Sequence, residues 1–271
     1  MNYIYINGKI TVAENALLPV DNGAFRYGYG LFESLLVQNG VIALKEYHWE
    51  RLLAGIKVLH FELPALMTLD WMEEQLLLTV KKNQLEKLCR VRLQLFAGTG
   101  GIYDHKSMAP GMVIECFPLE PETLGVNENG FVTGIAKGLD KSSNVFANLK
   151  TCSGLLYALA AQQAKDNKWN DILIRNTAGN IIESSIANIF WISNGDIYTP
   201  PLTDGCVAGV TRQHIMEKMP VIEKSLNVET LLHADEVFLT NAIKRIRWVG
   251  SIENKKYSNR HIKTVYARCF V

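Results

Sequence analysis

Three Asn-Gly steps, Asn7-Gly8, Asn39-Gly40 and Asn194-Gly195, each stand between stretches rich in β-branched or aromatic residues. Asn and Gly both tolerate the left-handed backbone that a two-residue hairpin turn demands, and that turn matches the twist of the strands it joins. Antiparallel sheet is therefore predicted in both halves of the chain. Helices interrupt it. Trp49, Leu52, Leu53, Ile56 and Leu59 recur at steps of three and four, which predicts one helix, and a second such stretch runs from about Asp70 through Lys82. The fold class that follows is α+β.

Pro118 and Pro121 stand close together in Pro118-Leu119-Glu120-Pro121-Glu122. Neither a helix interior nor a central strand accepts such a pair, so a linker is predicted there, dividing the chain into residues 1–118 and 122–271. In the second part Leu155 to Ala164 reads as a helix. Asp171 to Arg175 and Ile181 to Ile192 read as strands, and Gln213 to Met219 as a short helix after Gly209. With 271 residues, 48% of them hydrophobic, the chain can bury a substantial core.

The formal net charge is +1, and no basic run is present that would neutralise a series of phosphates, which argues against nucleic acid as a partner. No window approaches the ~18 consecutive apolar residues of a membrane span, and the start lacks the basic-then-apolar layout of a signal peptide. A cytoplasmic protein without membrane contact is expected. The five cysteines, Cys89, Cys116, Cys152, Cys206 and Cys269, are scattered and odd in number, so reduced thiols are expected and not a disulfide framework. His48, His60, His105, His214, His233 and His261 show no metal-like spacing, and no metal is expected.

Lys150 follows the apolar run Val145-Phe146-Ala147-Asn148-Leu149 and precedes a helix start, whereas other lysines sit in polar pairs such as Lys81-Lys82. Desolvation favours a free amine over an ammonium, so this setting suits a nucleophilic lysine, although a lysine near a helix start is also the pattern of a solvated surface residue. Glu183 opens the polar cluster Glu183-Ser184-Ser185 inside an otherwise apolar strand, where a carboxylate must find a cation or remain exposed. An edge strand with polar outward positions fits the same pattern. Gly209-Val210-Thr211-Arg212, just ahead of a helix, presents N–H groups and a hydroxyl where the helix dipole favours an anion, and it fits an ordinary helix cap as well. Thr240-Asn241, after the apolar strand beginning at Glu236, could add a second polar loop to the same anion, and Arg51 is a candidate for charge-assisted bonding to it. An amine, an acid and an anion seat are what a pyridoxal phosphate site requires.

Together these segments resemble the class IV aminotransferases, the pyridoxal-phosphate enzymes of fold type IV, which include branched-chain and D-amino acid aminotransferases and 4-amino-4-deoxychorismate lyase. Phe25-Arg26-Tyr27-Gly28-Tyr29-Gly30-Leu31-Phe32-Glu33-Ser34 looks like the family's Tyr-Gly-Asp-Gly-x-Phe-Glu-Thr signature, with Tyr29 where Asp is usual. His48-x-x-Arg51-Leu52, Lys150, Glu183-x-x-x-x-Asn188-x-Phe190, Thr199-Pro200-Pro201, Gly209-Val210-Thr211-Arg212 and Ala234-Asp235-Glu236-Val237-Phe238 follow in order. The resemblance implies Lys150 as Schiff-base lysine and proton shuttle, and Glu183 on the ring nitrogen of pyridoxal 5'-phosphate. It puts Arg51, Val210, Thr211, Thr240 and Asn241 at the phosphate. It also implies a small α/β N-terminal domain, a larger β-rich pseudo-barrel domain, and a homodimer acting on a small-molecule amino substrate.

Leu149-Lys150, and Ala234-Asp235-Glu236 leading to Asn241-Ala242, resemble the lyase, whereas branched-chain enzymes place Asn-Tyr after the lysine where this chain has Gly154-Leu155. An amino acid transaminase using a 2-oxo acid acceptor is the alternative. The Arg-Gly-x-Gly-x-Arg loop that holds substrate carboxylate in the lyase and D-amino acid enzymes reads Ala97-Gly98-Thr99-Gly100-Gly101-Ile102 here. Either carboxylate recognition falls to Arg92, Arg245 or Arg247, or the substrate differs from those of the familiar family members; Tyr27 is a further candidate for substrate contact.

Overall fold

A computed structural model describes residues 2–104 and 107–271, so His105 lies outside the described residues. The chain forms two compact units, Met1–Thr123 with Leu149–Ser153, and Leu124–Asn148 with Gly154–Val271. The boundary falls next to the proline pair, which opens a short 3-10 turn over Pro121–Leu124. Composition gave no sign that Leu149–Ser153 would belong to the first unit.

The first unit contains β1 (Tyr3–Ile6), β2 (Lys9–Val12), α1 (Gly23–Tyr27), β3 (Gly30–Gln38), β4 (Val41–Ile42), α2 (Lys45–Val58), α3 (Leu69–Lys82), β5 (Leu88–Phe96) and β6 (Gly111–Pro118). Its strands form one antiparallel sheet in the order β2-β1-β6-β5-β3-β4. Side chains alternate along β5: Cys89, Val91, Leu93 and Leu95 are buried in the core, while Arg90, Arg92 and Gln94 point to the other face. Met72, Leu76 and Val80, at helical spacing on α3, are buried in that core, each stabilising by about 2 kcal/mol. The first two Asn-Gly steps form their hairpins with positive φ at both residues, 43° and 102° at Asn7-Gly8 and 53° and 73° at Asn39-Gly40.

The second unit contains β7 (Phe131–Ile135), α4 (Leu155–Asp166), β8 (Asp171–Arg175), β9 (Ile181–Ser184), β10 (Asn188–Ser193), β11 (Asp196–Thr199), α5 (Val210–Lys218), β12 (Ile222–Glu223), α6 (Val228–His233), β13 (Glu236–Asn241), β14 (Arg245–Ile252), β15 (Lys255–Lys256) and α7 (Ile262–Phe270). Its sheet runs β12-β11-β10-β13-β14-β7-β8-β9, and β9 also pairs with β10. That last pairing, Glu183 opposite Asn188, closes six strands into a barrel. The continuous strand expected over Ile181 to Ile192 is thus two strands. The break falls at Ser184-Ser185, where both hydroxyls donate to the Asp171 carboxylate at 2.7 and 2.6 Å and draw the chain into a turn. No helix among the described residues is long and apolar enough to cross a membrane.

Candidate active site

Residues Leu149–Ser153 lie along the start of β3. Phe32 N–H donates to Lys150 O at 3.0 Å, Cys152 N–H donates to Gly30 O at 2.8 Å, and Leu31 pairs with Thr151 between them. Two glycines make room for this segment. A Cβ on Gly30 would stand 2.6 Å from Leu95 O and 3.0 Å from Cys152 Sγ, and one on Gly28, already at φ +66°, would stand 2.9 Å from Ser153 Cα. The Lys150 Nζ rests 4.6 Å from the centre of the Phe32 ring, and the Arg92 guanidinium carbon lies 3.8 Å from the same centre. Arg92 is held by Gln94 Oε1, which accepts from its Nε and Nη2 at 3.2 and 2.8 Å. Cys152 beside it is no nucleophile, because burial pushes its thiol up to about 11.

Glu33 points to the helix-covered face of the same strand. Arg51 grips it from α2, with Nε and Nη2 donating to its two oxygens at 2.8 and 2.5 Å, and His48 Nδ1 lies 2.6 Å from Oε2. Burial alone would raise the Glu33 carboxyl, but the Arg51 charge together with the bonds from His48 and Arg51 outweighs it and holds the group at about 2. Sequence reasoning singled out Arg51 for an anion but not Glu33, the residue its Nε and Nη2 engage.

In the second unit Glu183 is 3% exposed and accepts three hydrogen bonds. Lys141 Nζ at 2.6 Å and Tyr157 OH at 2.7 Å donate to Oε1, and Val207 N–H donates to Oε2 at 2.8 Å. The cation that a buried carboxylate needs is thus already supplied by the chain. Nothing in the spacing of Lys141 or Tyr157 marked them. Glu183 faces Asn188 across the barrel closure, and Asn188 in turn pairs with Thr240 on β13. The Asn188 amide donates to Val207 O at 2.8 Å, so the turn ahead of α5 is tied to both residues. Gly209 lies so close that a Cβ there would stand 1.8 Å from Asn188 Oδ1.

Helix α5 starts at Gly209 without a side-chain cap, which leaves the first-turn N–H groups of Val210 and Thr211 without intrahelical acceptors. The hydroxyls of Thr211 and Thr240 are buried and have no hydrogen-bond partner among the described residues. Two orphaned buried hydroxyls and an uncapped helix start, joined through Asn188 and Gly209, are chemically suited to an anion. The Asn241 side chain is engaged elsewhere. Its Oδ1 accepts from Ile243 and Lys244 N–H at 3.1 and 2.8 Å, and its Nδ2 donates to Ile186 O at 3.3 Å. Any anion contact by Asn241 therefore falls to its main chain.

The remaining sequence candidates separate clearly. Arg247 is 8% exposed and its Nη1 donates to the carbonyls of Gly125, Lys244 and Ile246, a structural use. Arg245 donates to Tyr266 OH at 3.1 Å and lies over Phe270, against the C-terminal helix. Of the three arginines, Arg92 is the one placed on the ring that carries Lys150. Tyr27 rests on Tyr103 with ring centres 5.1 Å apart. Ala97, where the family loop has arginine, is buried in the core, and Ile102 is exposed. Tyr29, at the usual Asp position, donates to Leu59 O at 2.7 Å and stacks on Phe61.

Residues 30–252 match the family model described as amino-transferase class IV. The chain belongs to the class IV aminotransferases. It is similar to the aminodeoxychorismate lyase of Bacillus subtilis (strain 168), at 30% identity over 266 residues that cover 95% of this chain and 89% of that protein. A putative branched-chain-amino-acid aminotransferase of Methanocaldococcus jannaschii is 27% identical over 266 residues, covering 96% and 91%. The solved branched-chain aminotransferase of Thermoproteus uzoniensis shares the fold, with a TM-score of 0.88 at 23% identity over 98% of this chain and 92% of that one. The class IV enzymes use pyridoxal 5'-phosphate, and this chain is an enzyme of that family. The residues present fit the group: a lysine packed on an aromatic ring, a buried carboxylate, and an anion seat with unused hydroxyls.

Proposed function

We propose that the chain is a 4-amino-4-deoxychorismate lyase, which releases pyruvate and leaves 4-aminobenzoate. Lys150 would hold the cofactor through its amine and would take the proton from the substrate carbon that bears the amino group. When bound, the cofactor supplies a sink for the electron pair that this proton leaves behind. Glu183 holds a positive charge on the ring nitrogen, and Val210, Thr211 and Thr240 hold the phosphate, with Asn241 contributing main chain. Arg51, steadied by Glu33, is assigned to the same phosphate. Loss of the enolpyruvyl oxygen from the neighbouring carbon then makes the ring aromatic, which drives elimination forward.

The observation that carries the lyase reading is Arg92. Its guanidinium and the Lys150 amine both lie over the Phe32 ring, so the region a substrate enters to reach that lysine carries a second cation on the same side chain. 4-Amino-4-deoxychorismate carries two carboxylates that suit such a neighbour, whereas a branched-chain amino acid carries one, and its aliphatic side chain gains nothing from a cation. The 30% identity to the Bacillus subtilis lyase supports the same reading. The second reading, an amino acid transaminase, is favoured by the similarity to the Methanocaldococcus jannaschii protein.

The deciding experiment mixes the protein with 4-amino-4-deoxychorismate and, separately, with L- and D-amino acids plus 2-oxoglutarate. Pyruvate appearing with 4-aminobenzoate is the expected result. A 2-oxo acid formed from an amino acid, with no pyruvate from the first mixture, would instead make the chain a transaminase. A cytoplasmic homodimer goes with this reading, and light scattering checks the dimer.

A further inference from the structure

Lys141 is placed by main chain as well as by charge. Its N–H donates to Arg175 O at 2.8 Å and its carbonyl accepts from Thr177 N–H at 3.2 Å, so the residue sits in a bridge beside Asn176. Its Nζ donates to Ala147 O at 2.8 Å and to Glu183 Oε1 at 2.6 Å, with the side chain only 13% exposed. A carboxylate oxygen accepts about two hydrogen bonds. Oε1 receives two, from Lys141 and Tyr157, while Oε2 receives one from Val207 N–H, so these bonds leave an accepting position on Oε2.

We propose that Lys141 is a positioning residue of the cofactor site: it holds Oε1 and offsets the charge of Glu183, so that Oε2 is presented to the ring nitrogen. The proposal rests on the role of Glu183 given above. The other titratable groups around Glu183 cannot replace the lysine. Burial, and then the Glu183 charge, push the Tyr157 phenol far above its ordinary range and the Cys206 thiol up to about 12, so both are neutral donors. Asp204 from the adjoining turn and Arg212 from α5 bear on Cys206, and Arg212 is itself paired with Glu223. Without Lys141, burial among neutral donors favours a neutral carboxyl, and binding a cofactor with a protonated ring then has to expel that proton.

The test is the affinity of apoprotein for pyridoxal phosphate, measured by fluorescence across the neutral pH range, for Lys141→Met, Lys141→Arg, Glu183→Gln and the double variant Lys141→Met/Glu183→Gln. Lys141→Met is expected to bind more weakly and to gain an added rise of affinity with pH, approaching about tenfold per unit, the slope of one linked proton. Lys141→Arg is expected to restore the native profile. In the Glu183→Gln background the Lys141→Met change should add no slope and little further loss, because the charge it served is gone. The double variant removes both charges together, which keeps the comparison available if the single Met variant folds poorly. A Lys141→Met profile parallel to the native one, or losses that simply add in the double variant, would overturn the proposal while leaving Glu183 in its role. Glu183→Gln without effect on affinity or slope would overturn both.

Discussion

Lys150 and Arg92, 58 positions apart in the sequence, lie over one aromatic ring, with Nζ 4.6 Å and the guanidinium carbon 3.8 Å from the centre of Phe32. Both cations thus share one side chain on β3, and under the proposed function that ring links the reacting amine to the guanidinium that receives an anion. Arg92→Met should therefore leave the bound chromophore intact and lower kcat/KM for 4-amino-4-deoxychorismate by about ten- to a hundredfold, the cost of one charge-assisted bond. Steady-state kinetics with an unchanged visible spectrum would show it; an unchanged kcat/KM would remove Arg92 from the substrate site.

Lys150→Ala should abolish both the visible absorbance of the bound cofactor and the activity while the melting temperature stays near that of the native apoprotein, because the hydrogen bond to Phe32 comes from the main chain of residue 150 and survives the substitution. Retention of the same chromophore would mean that another amine holds the cofactor.

Glu183→Gln should reduce turnover by about a hundredfold or more, as expected when a preorganised charge is lost from a buried site. Cofactor content should fall far less, because the phosphate seat is built from other residues. Equal losses of turnover and content would place Glu183 in binding alone.

Glu33 predicts an acid-sensitive first unit. Its folded value of about 2 lies below the reference value of 4.5, so its contribution is complete above about 4.5 and is lost as pH falls towards 2. Glu33→Gln should cost about 3–5 kcal/mol at neutral pH by stranding Arg51, and should flatten the stability curve within that window. Chemical denaturation at a series of pH values measures both effects.

Gly209→Ala places a carbon on Asn188 Oδ1 and should destabilise the second unit by about 1–3 kcal/mol. The same displacement moves the α5 start, so affinity for pyridoxal phosphate should fall with it in a titration of apoprotein. Unaltered affinity would dissociate that helix start from the phosphate.

The turns and periodic segments were legible because their causes are local. Asn-Gly chemistry fixed three hairpins, and the spacing of Trp49, Leu52 and Ile56 marked α2. The order of Lys150, Glu183 and Gly209-Val210-Thr211 carried the family. Partners that meet across long loops were not legible. Lys141 reaches Glu183 over 42 positions and carries no spacing signal, and Glu33 was read as part of a motif and not as the anchor of Arg51. Thr240-Asn241 reads in sequence as a polar loop for the same anion as Gly209-Val210-Thr211, and the turn into β14 that engages the Asn241 side chain carries no signal there. Arg92, Arg245 and Arg247 are equivalent as sequence and become distinct only when Phe32, Tyr266 and the carbonyl of Gly125 are set beside them.

Leu149–Ser153 belongs to the first unit although residues 124–148 of the second unit precede it. A chain emerging from the ribosome can therefore form β1 through β6 and still leave the flank of β3, hollowed by Gly28 and Gly30, without its neighbour. The seat is made early and its lysine arrives late. A chain halted at Thr123 would present Gly30 O and Phe32 N–H to solvent in place of Cys152 and Lys150, so completion of the N-terminal unit waits on synthesis of the chain through Ser153.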